Sequence, residues 1–250
     1  MNKFFITGIP RSGTTVLTKT LSELNNVFVY KNNNEFFEPF GQGSTKQYLD
    51  PYQPLIEAEE QCNSKYFGFK CFNGDTVDIK KLNQELGYKT FAIIRKDIWK
   101  SVFSHHIAKT ASFREKIDIF DRSSTLHPNK DIINNTAEFR PGEANLLKLS
   151  YFKSLKACYE FETQWKNTDI IYFEDLIKPN ASFDCLNEYF GQNITFNLNY
   201  DDSHDVEGYF LNWNLDVLKS LSKDVVVRVN LPNDCPNYIK ESMYKFIKKD

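Results

Sequence analysis

The densest group of chemically capable residues lies near the start of the chain, in Gly8-Ile9-Pro10-Arg11-Ser12-Gly13-Thr14-Thr15. A short β-prone run, Phe4 to Thr7, precedes it, and Leu17, Leu21 and Leu24 follow at helical spacing. A turn from a strand into a helix presents the unpaired N–H groups of the helix's first turn, and the helix dipole adds partial positive charge there. Glycine lets the backbone come close to a ligand. Ser12, Thr14 and Thr15 add hydroxyl donors, while Arg11 brings a permanent planar cation suited to multidentate anion contact. Together these residues describe a site for a phosphate or a sulfate. The Walker A pattern G-x-x-x-x-G-K-[ST] is nearly met, yet Thr14 stands where the lysine belongs. A nucleotide triphosphatase would lose its β/γ-phosphate cation there; in this chain the cation comes earlier, at Arg11.

Arg95 is a second cation in a telling place. It ends the apolar run Phe91-Ala92-Ile93-Ile94 and precedes a helix predicted from about Asp97 to Lys109, with Asp97 as its cap. That puts Arg95 at the carboxyl end of a buried strand, the edge at which parallel sheets bind ligands. Ser101 and Ser104, three residues apart, share a face of that helix, and either hydroxyl could join Arg95 on one anion. Lys70, at the end of Tyr66-Phe67-Gly68-Phe69-Lys70, reads as a solvated strand-end lysine that could also touch a cofactor. His105 and His106 read as ordinary helix residues, and no motif surrounds His127 or His204.

The Gly8 to Thr15 run resembles the 5′-phosphosulfate loop of sulfotransferases that use 3′-phosphoadenosine 5′-phosphosulfate (PAPS), especially the tyrosylprotein and carbohydrate branches. Arg95 to Ser104 resembles their 3′-phosphate motif, a strand-end Arg paired with a Ser on the next helix. Many members space that pair by eight; this chain has nine to Ser104, and its Arg-x-Asp start looks more like bacterial trehalose sulfotransferases. Ser104 is therefore favoured, with Ser101 the alternative. Tyr66 to Lys70 is similar to the Phe-Gly-x-Lys strand of bacterial members, and Tyr172-Phe173-Glu174-Asp175-Leu176 to their Tyr-Glu-Asp-Leu run. The four matches fall between residues 4 and 176.

The resemblance implies a sulfuryl transfer from PAPS to a hydroxyl or amine acceptor, a small molecule or glycan, with no metal required. It implies donor binding by Pro10, Arg11, Ser12, Gly13, Thr14, Thr15, Arg95 and Ser104. Arg11 would also be catalytic, stabilising charge on the bridging and sulfuryl oxygens. Phe36-Phe37-Glu38-Pro39-Phe40 resembles the Phe-Glu-Pro segment of carbohydrate sulfotransferases, which makes Glu38 the expected base for the acceptor's proton; aromatic neighbours would desolvate and raise such a carboxyl. Glu35 competes for that role. Two other function classes stand beside this one. A P-loop small-molecule kinase would need a lysine at position 14 and a magnesium-binding carboxylate, and a non-catalytic nucleotide-binding module would need no base.

The elements that must position these residues alternate. Strands are expected at Phe4 to Thr7, Val27 to Tyr30, Tyr66 to Lys70, Lys89 to Ile94 and Asp169 to Phe173, with helical periodicity between them. This pattern predicts an α/β fold with a mostly parallel central sheet and helices on both faces, and the resemblance implies its three-layer, P-loop-like form. Residues 1–250 read as a single sulfotransferase domain, with a loop or lid at about 112–141 and a late helix from Pro236 to Lys248 whose packing the sequence leaves open.

Charge is nearly balanced, 31 Lys+Arg against 33 Asp+Glu, so no global field favours nucleic acid or an anionic membrane. No apolar run suits a signal peptide or a membrane span, and the expected location is cytoplasmic. Five cysteines without a C-x-x-C pair speak against zinc and against a disulfide framework. Sequons at Asn134, Asn180 and Asn193 read as chance in an Asn-rich chain.

Overall fold

A computed structural model describes residues 1–31, 52–72, 78–115, 143–198, 218–226, 229 and 232–247. In chain order the elements are β1 (Asn2–Gly8), α1 (Thr14–Ser22), β2 (Val27–Val29), α2 (Tyr52–Glu60), β3 (Tyr66–Lys70), α3 (Ile79–Gln84), β4 (Lys89–Ile94), α4 (Ile98–Glu115) and α5 (Glu143–Thr163). They continue with β5 (Thr168–Tyr172), α6 (Phe173–Leu176), β6 (Ala181–Ser182), α7 (Asp184–Phe190), β7 (Thr195–Phe196), α8 (218–226) and α9 (Asn237–Tyr244). Five strands form one sheet in the order β2-β3-β1-β4-β5, and every pairing in it is parallel. The expected α/β architecture with helices around a parallel sheet is present. Packing gathers the chain into two compact units, Met1–Ile94 with Glu160–Leu198, and Arg95–Tyr159 with Asn199–Asp250.

The first unit is built on the sheet, and its strands are apolar on both sides because both sides are covered. Side chains alternate across the pleat. Phe4, Ile6, Phe91 and Ile93 share one face with Leu17 and Leu21 of α1 and with Leu186 and Phe190 of α7. The Phe4 ring meets Phe190 edge-on at 5.2 Å between centroids. On the opposite face Phe5 lies 6.1 Å from Phe69 and 6.5 Å from Trp165, and Tyr88 lies 5.7 Å from Phe69. There Asn83 of α3 donates to the Thr90 hydroxyl at 2.8 Å and to the Lys166 carbonyl, tying the helix to β4 and to the turn before β5. Each fully buried aromatic contributes about 1.5–3 kcal/mol by leaving water.

The second unit is helical. Trp99 of α4 is fully buried and stacks on Tyr151 of α5 with centroids 3.9 Å apart. The indole N–H donates to the Ser242 carbonyl at 3.0 Å, and the Tyr151 and Ser242 hydroxyls share a hydrogen bond of 2.8 Å. Burial holds the Tyr151 phenol protonated far above its ordinary range. Lys148 of α5 reaches Asp224 of α8 at 2.7 Å. The late helix, which the sequence left unplaced, therefore docks on α4 through Ser242. It is shorter than the predicted Pro236 to Lys248: after Tyr244 the chain tightens into i→i+3 bonds, Lys245 N–H to Ser242 and Ile247 N–H to Tyr244.

Element boundaries moved elsewhere as well; β2, expected to reach Tyr30, ends at Val29, and β5 begins one residue early, at Thr168. α4 runs to Glu115, past the predicted end at Lys109, so the first part of the expected loop at 112–141 is helix; residues 116–142 lie outside the described residues. β1 begins at Asn2, whose N–H bonds the Lys65 carbonyl. Phe173 leaves β5 to open α6, a single turn.

Gly68 is a checkpoint for this packing. It pairs with Phe4, and a Cβ at position 68 would stand 2.2 Å from the Phe4 ring. Gly68→Ala is expected to lower stability by about 1–3 kcal/mol through overpacking. A urea titration checks this: the midpoint should fall with its slope unchanged.

Candidate functional site

The candidate site grows from the carboxyl end of β1. β1 lies between β3 and β4, with Ile6 opposite Lys70 and Gly8 opposite Ile93. From β1 the chain crosses to β2 on one side of the sheet, whereas from β4 it continues to β5 on the other. The carboxyl ends of β1 and β4 thus flank a topological switch point, where open α/β sheets leave a crevice for ligands.

Ile9 to Gly13 connect β1 to α1 in a sharply bent path. Arg11 has φ 59° and Gly13 φ 89°, both left-handed. For Gly13 that conformation costs nothing, and it lets the residue sit at the N-cap of α1. A side chain there would also press on Leu176, 3.0 Å from an ideal Cβ, and on Phe173, at 3.3 Å. α6 is therefore the floor on which the loop rests, which gives the Tyr172 to Leu176 motif a supporting role. For Arg11 the left-handed backbone costs roughly 1–2 kcal/mol, a strain that clusters at functional turns.

The hydroxyls divide their work. Ser12 is fully buried and donates to the Ile9 carbonyl at 2.7 Å, so its proton closes the loop rather than pointing at a ligand. Thr14 is buried, and its carbonyl accepts from the Thr18 hydroxyl at 2.7 Å. Thr15 is half-buried. Its hydroxyl accepts from the Lys70 ammonium at 2.9 Å.

Lys70 corrects the sequence reading. A solvated strand-end lysine was expected; its side chain is fully buried, with the ammonium at the first turn of α1 and 5.3 Å from the Phe72 ring centroid. The cause is register. Lys70 lies opposite Ile6, on the face that α1 covers, so its stem runs under the helix and its head emerges at the helix start. Ammonium and helix dipole bring like charge together, an arrangement that an anion stabilises.

Arg95 is the residue after Ile94 of β4 and the first of the second unit. It is buried, 6% exposed. On α4, Asp97 is the N-cap: its Oδ1 accepts from the Lys100 N–H at 3.0 Å, and its carbonyl accepts from the Ser101 N–H at 3.1 Å. Ser101 is fully buried, Ser104 half-buried, and both stand on α4 as expected. His105 and His106 are part-buried residues of the same helix. Glu35 and Glu38, like His127 and His204, lie outside the described residues.

All five cysteines are free, and burial pushes the Cys185 thiol up to about 11, which disfavours its thiolate. Among the described residues no helix is long and apolar enough to cross a membrane. No protein-family model matches the chain, and no curated protein matches it.

The loop geometry makes a prediction that is independent of any reaction. Lys70→Met, which keeps the stem and removes the charge, should weaken inorganic sulfate binding by about ten- to a hundredfold, the worth of one charge-assisted hydrogen bond. Sulfate-dependent thermal shifts, compared with the wild type, measure it; an unchanged response would place the anion elsewhere.

Proposed function

We propose that the chain is a sulfotransferase that moves the sulfuryl group of PAPS to a hydroxyl or amine acceptor. The observation that carries this reading is the Lys70–Thr15 contact of 2.9 Å. In a Walker loop the residue at the Thr15 position offers its hydroxyl to magnesium, and the preceding lysine reaches the β/γ-phosphates. Here Thr14 replaces that lysine, and an ammonium from β3 sits on the Thr15 hydroxyl. A second cation at Thr15 would meet like charge, which disfavours the magnesium-dependent kinase and suits an anion held by fixed protein cations alone.

In this reading the 5′-phosphosulfate lies against the first-turn N–H groups of α1, with Arg11 and Lys70 as its cations. The acceptor oxygen or nitrogen attacks sulfur in line. The bond from sulfur to the 5′-phosphate oxygen breaks, adenosine 3′,5′-bisphosphate leaves, and the acceptor's proton passes to a base. Such transfers depend on positioning and on stabilising spread charge. Arg11 and Lys70 would take up charge on the bridging and sulfuryl oxygens. Arg95, with Ser104 or Ser101, would hold the 3′-phosphate, the group that separates this donor from ATP. Glu38 remains the proposed base, with Glu35 as its alternative.

Calorimetry tests the reading directly. Adenosine 3′,5′-bisphosphate should bind tightly and without magnesium; preference for ATP with magnesium would support the kinase instead. Arg95→Ala should weaken adenosine 3′,5′-bisphosphate by about 1.5–3 kcal/mol and adenosine 5′-phosphate much less, because only the former carries the 3′-phosphate. Equal losses for both nucleotides would remove Arg95 from that role.

For the base, Glu38→Gln should leave donor affinity intact and lower single-turnover rates by about 10²–10⁴-fold. A larger loss in Glu35→Gln would move the base to that residue.

A further inference from the structure

We propose that Leu176 is a positioning residue for the anion turn: packed beneath Gly13, it holds the start of α1 in the form that leaves three backbone N–H groups to a sulfate or phosphate group. The inference rests on the anion-binding part of the sulfotransferase reading, not on the transfer step, and all its residues belong to the first unit.

Among the described residues, no hydrogen bond leaves the N–H of Thr14, Thr15 or Val16; the first paired amide of α1 is that of Leu17, which donates to the Gly13 carbonyl at 3.1 Å. Gly13 stands at the N-cap and has no side chain with which to cap them. Thr14 is buried, so an amide without a partner there is costly, and a bound anion offsets that cost. The Lys70 ammonium, 2.9 Å from the Thr15 hydroxyl, brings a full positive charge to the same turn.

Leu176 is fully buried in the cluster that also contains Leu17 and Leu21 of α1. It belongs to α6, which begins directly after β5. Ile171 of β5 lies opposite Ile93, and so does Gly8, where the turn begins. One row of the sheet therefore sets both the turn and the residue beneath it. The fit is close: an ideal Cβ at Gly13 would stand 3.0 Å from Leu176 Cδ2, tighter than ordinary van der Waals contact. The leucine thus backs Gly13 at φ 89°, the residue that carries the chain into α1. Shortening it would open room beneath a glycine, whose backbone is free to use that room, and let the start of α1 shift.

The test is calorimetry with sodium sulfate, beside urea unfolding without sulfate, on wild type, Leu176→Val, Leu176→Met, Gly13→Ala and the double variant of Gly13→Ala with Leu176→Val. Leu176→Val removes the Cδ groups at small cost to the core and should weaken sulfate about tenfold, the scale of one charge-assisted hydrogen bond. Leu176→Met keeps the reach and should bind as the wild type does. Gly13→Ala forces a methyl group against Leu176 and should weaken sulfate by a similar factor. In the double variant the loss should stay near that of either single change, because the new methyl occupies the room that the leucine gives up. The Leu176→Val and Leu176→Met pair decides the matter even if Gly13→Ala does not fold. A leucine that only fills the core would lower the urea midpoint of Leu176→Val and leave its sulfate affinity at the wild-type value. That result, an affinity in Leu176→Met as low as in Leu176→Val, or losses that multiply in the double variant would overturn the proposal while the anion turn stands. A wild type that binds no sulfate would overturn both the proposal and the anion turn.

Discussion

The parallel register of β1 between β3 and β4 is the constraint on which the rest of this architecture depends. Because Ile6 is opposite Lys70, the lysine projects onto the face that α1 covers and reaches the start of that helix. Because Gly8 is opposite Ile93, β1 and β4 end side by side. A slip of one residue would reverse every side chain on a strand. It would send Lys70 to the opposite face and bring Phe69 under α1. The aromatic pairs on both faces, such as Phe4 with Phe190 and Phe5 with Phe69, resist that slip, so core packing and the placement of charge are one problem.

Positive charge inside a protein must be hydrogen-bonded or paired. The two units meet this requirement in different ways. In the first, the Lys70 ammonium donates to the Thr15 hydroxyl and lies near the Phe72 ring. In the second, Lys245 is spent on Asp97, and that carboxylate is spent on Lys245 and on the cap of α4. The loop after β1 adds strain to charge. Arg11 takes a left-handed backbone that glycine would adopt at no cost, and the neighbouring Ser12 gives its proton to the turn's own closure.

Much of this was legible in the chain itself, and for local reasons. Short apolar runs alternating with helical periodicity announce a parallel sheet, and glycine with hydroxyl residues between a strand and a helix announces an anion turn. The strand ending at Ile94, the cap at Asp97 and the serines on the following helix all stand where their spacing put them. The boundaries that moved are those decided by contact at a distance. Asn2 joins β1 because the Lys65 carbonyl is beside it, and α9 stops early because Ser242 and Phe246 are pinned against α4.

What the sequence by itself determined is the set of local devices: strand, turn and helix around residues 4 to 24, a cation at Arg11, another at Arg95, and the helix cap at Asp97. Only the tertiary structure decided which distant groups complete them. Lys70 looked like a solvated strand end because one-dimensional spacing cannot say which strand lies next to β1. Lys245 carried no motif, since its partner is far away along the chain. Leu176 and Phe173 support Gly13 for the same reason, across a stretch that no periodicity spans. Backbone hydrogen bonding and helix periodicity act over a few residues and can be read from order alone, whereas pairing between strands and the docking of helices depend on the whole core filling at once.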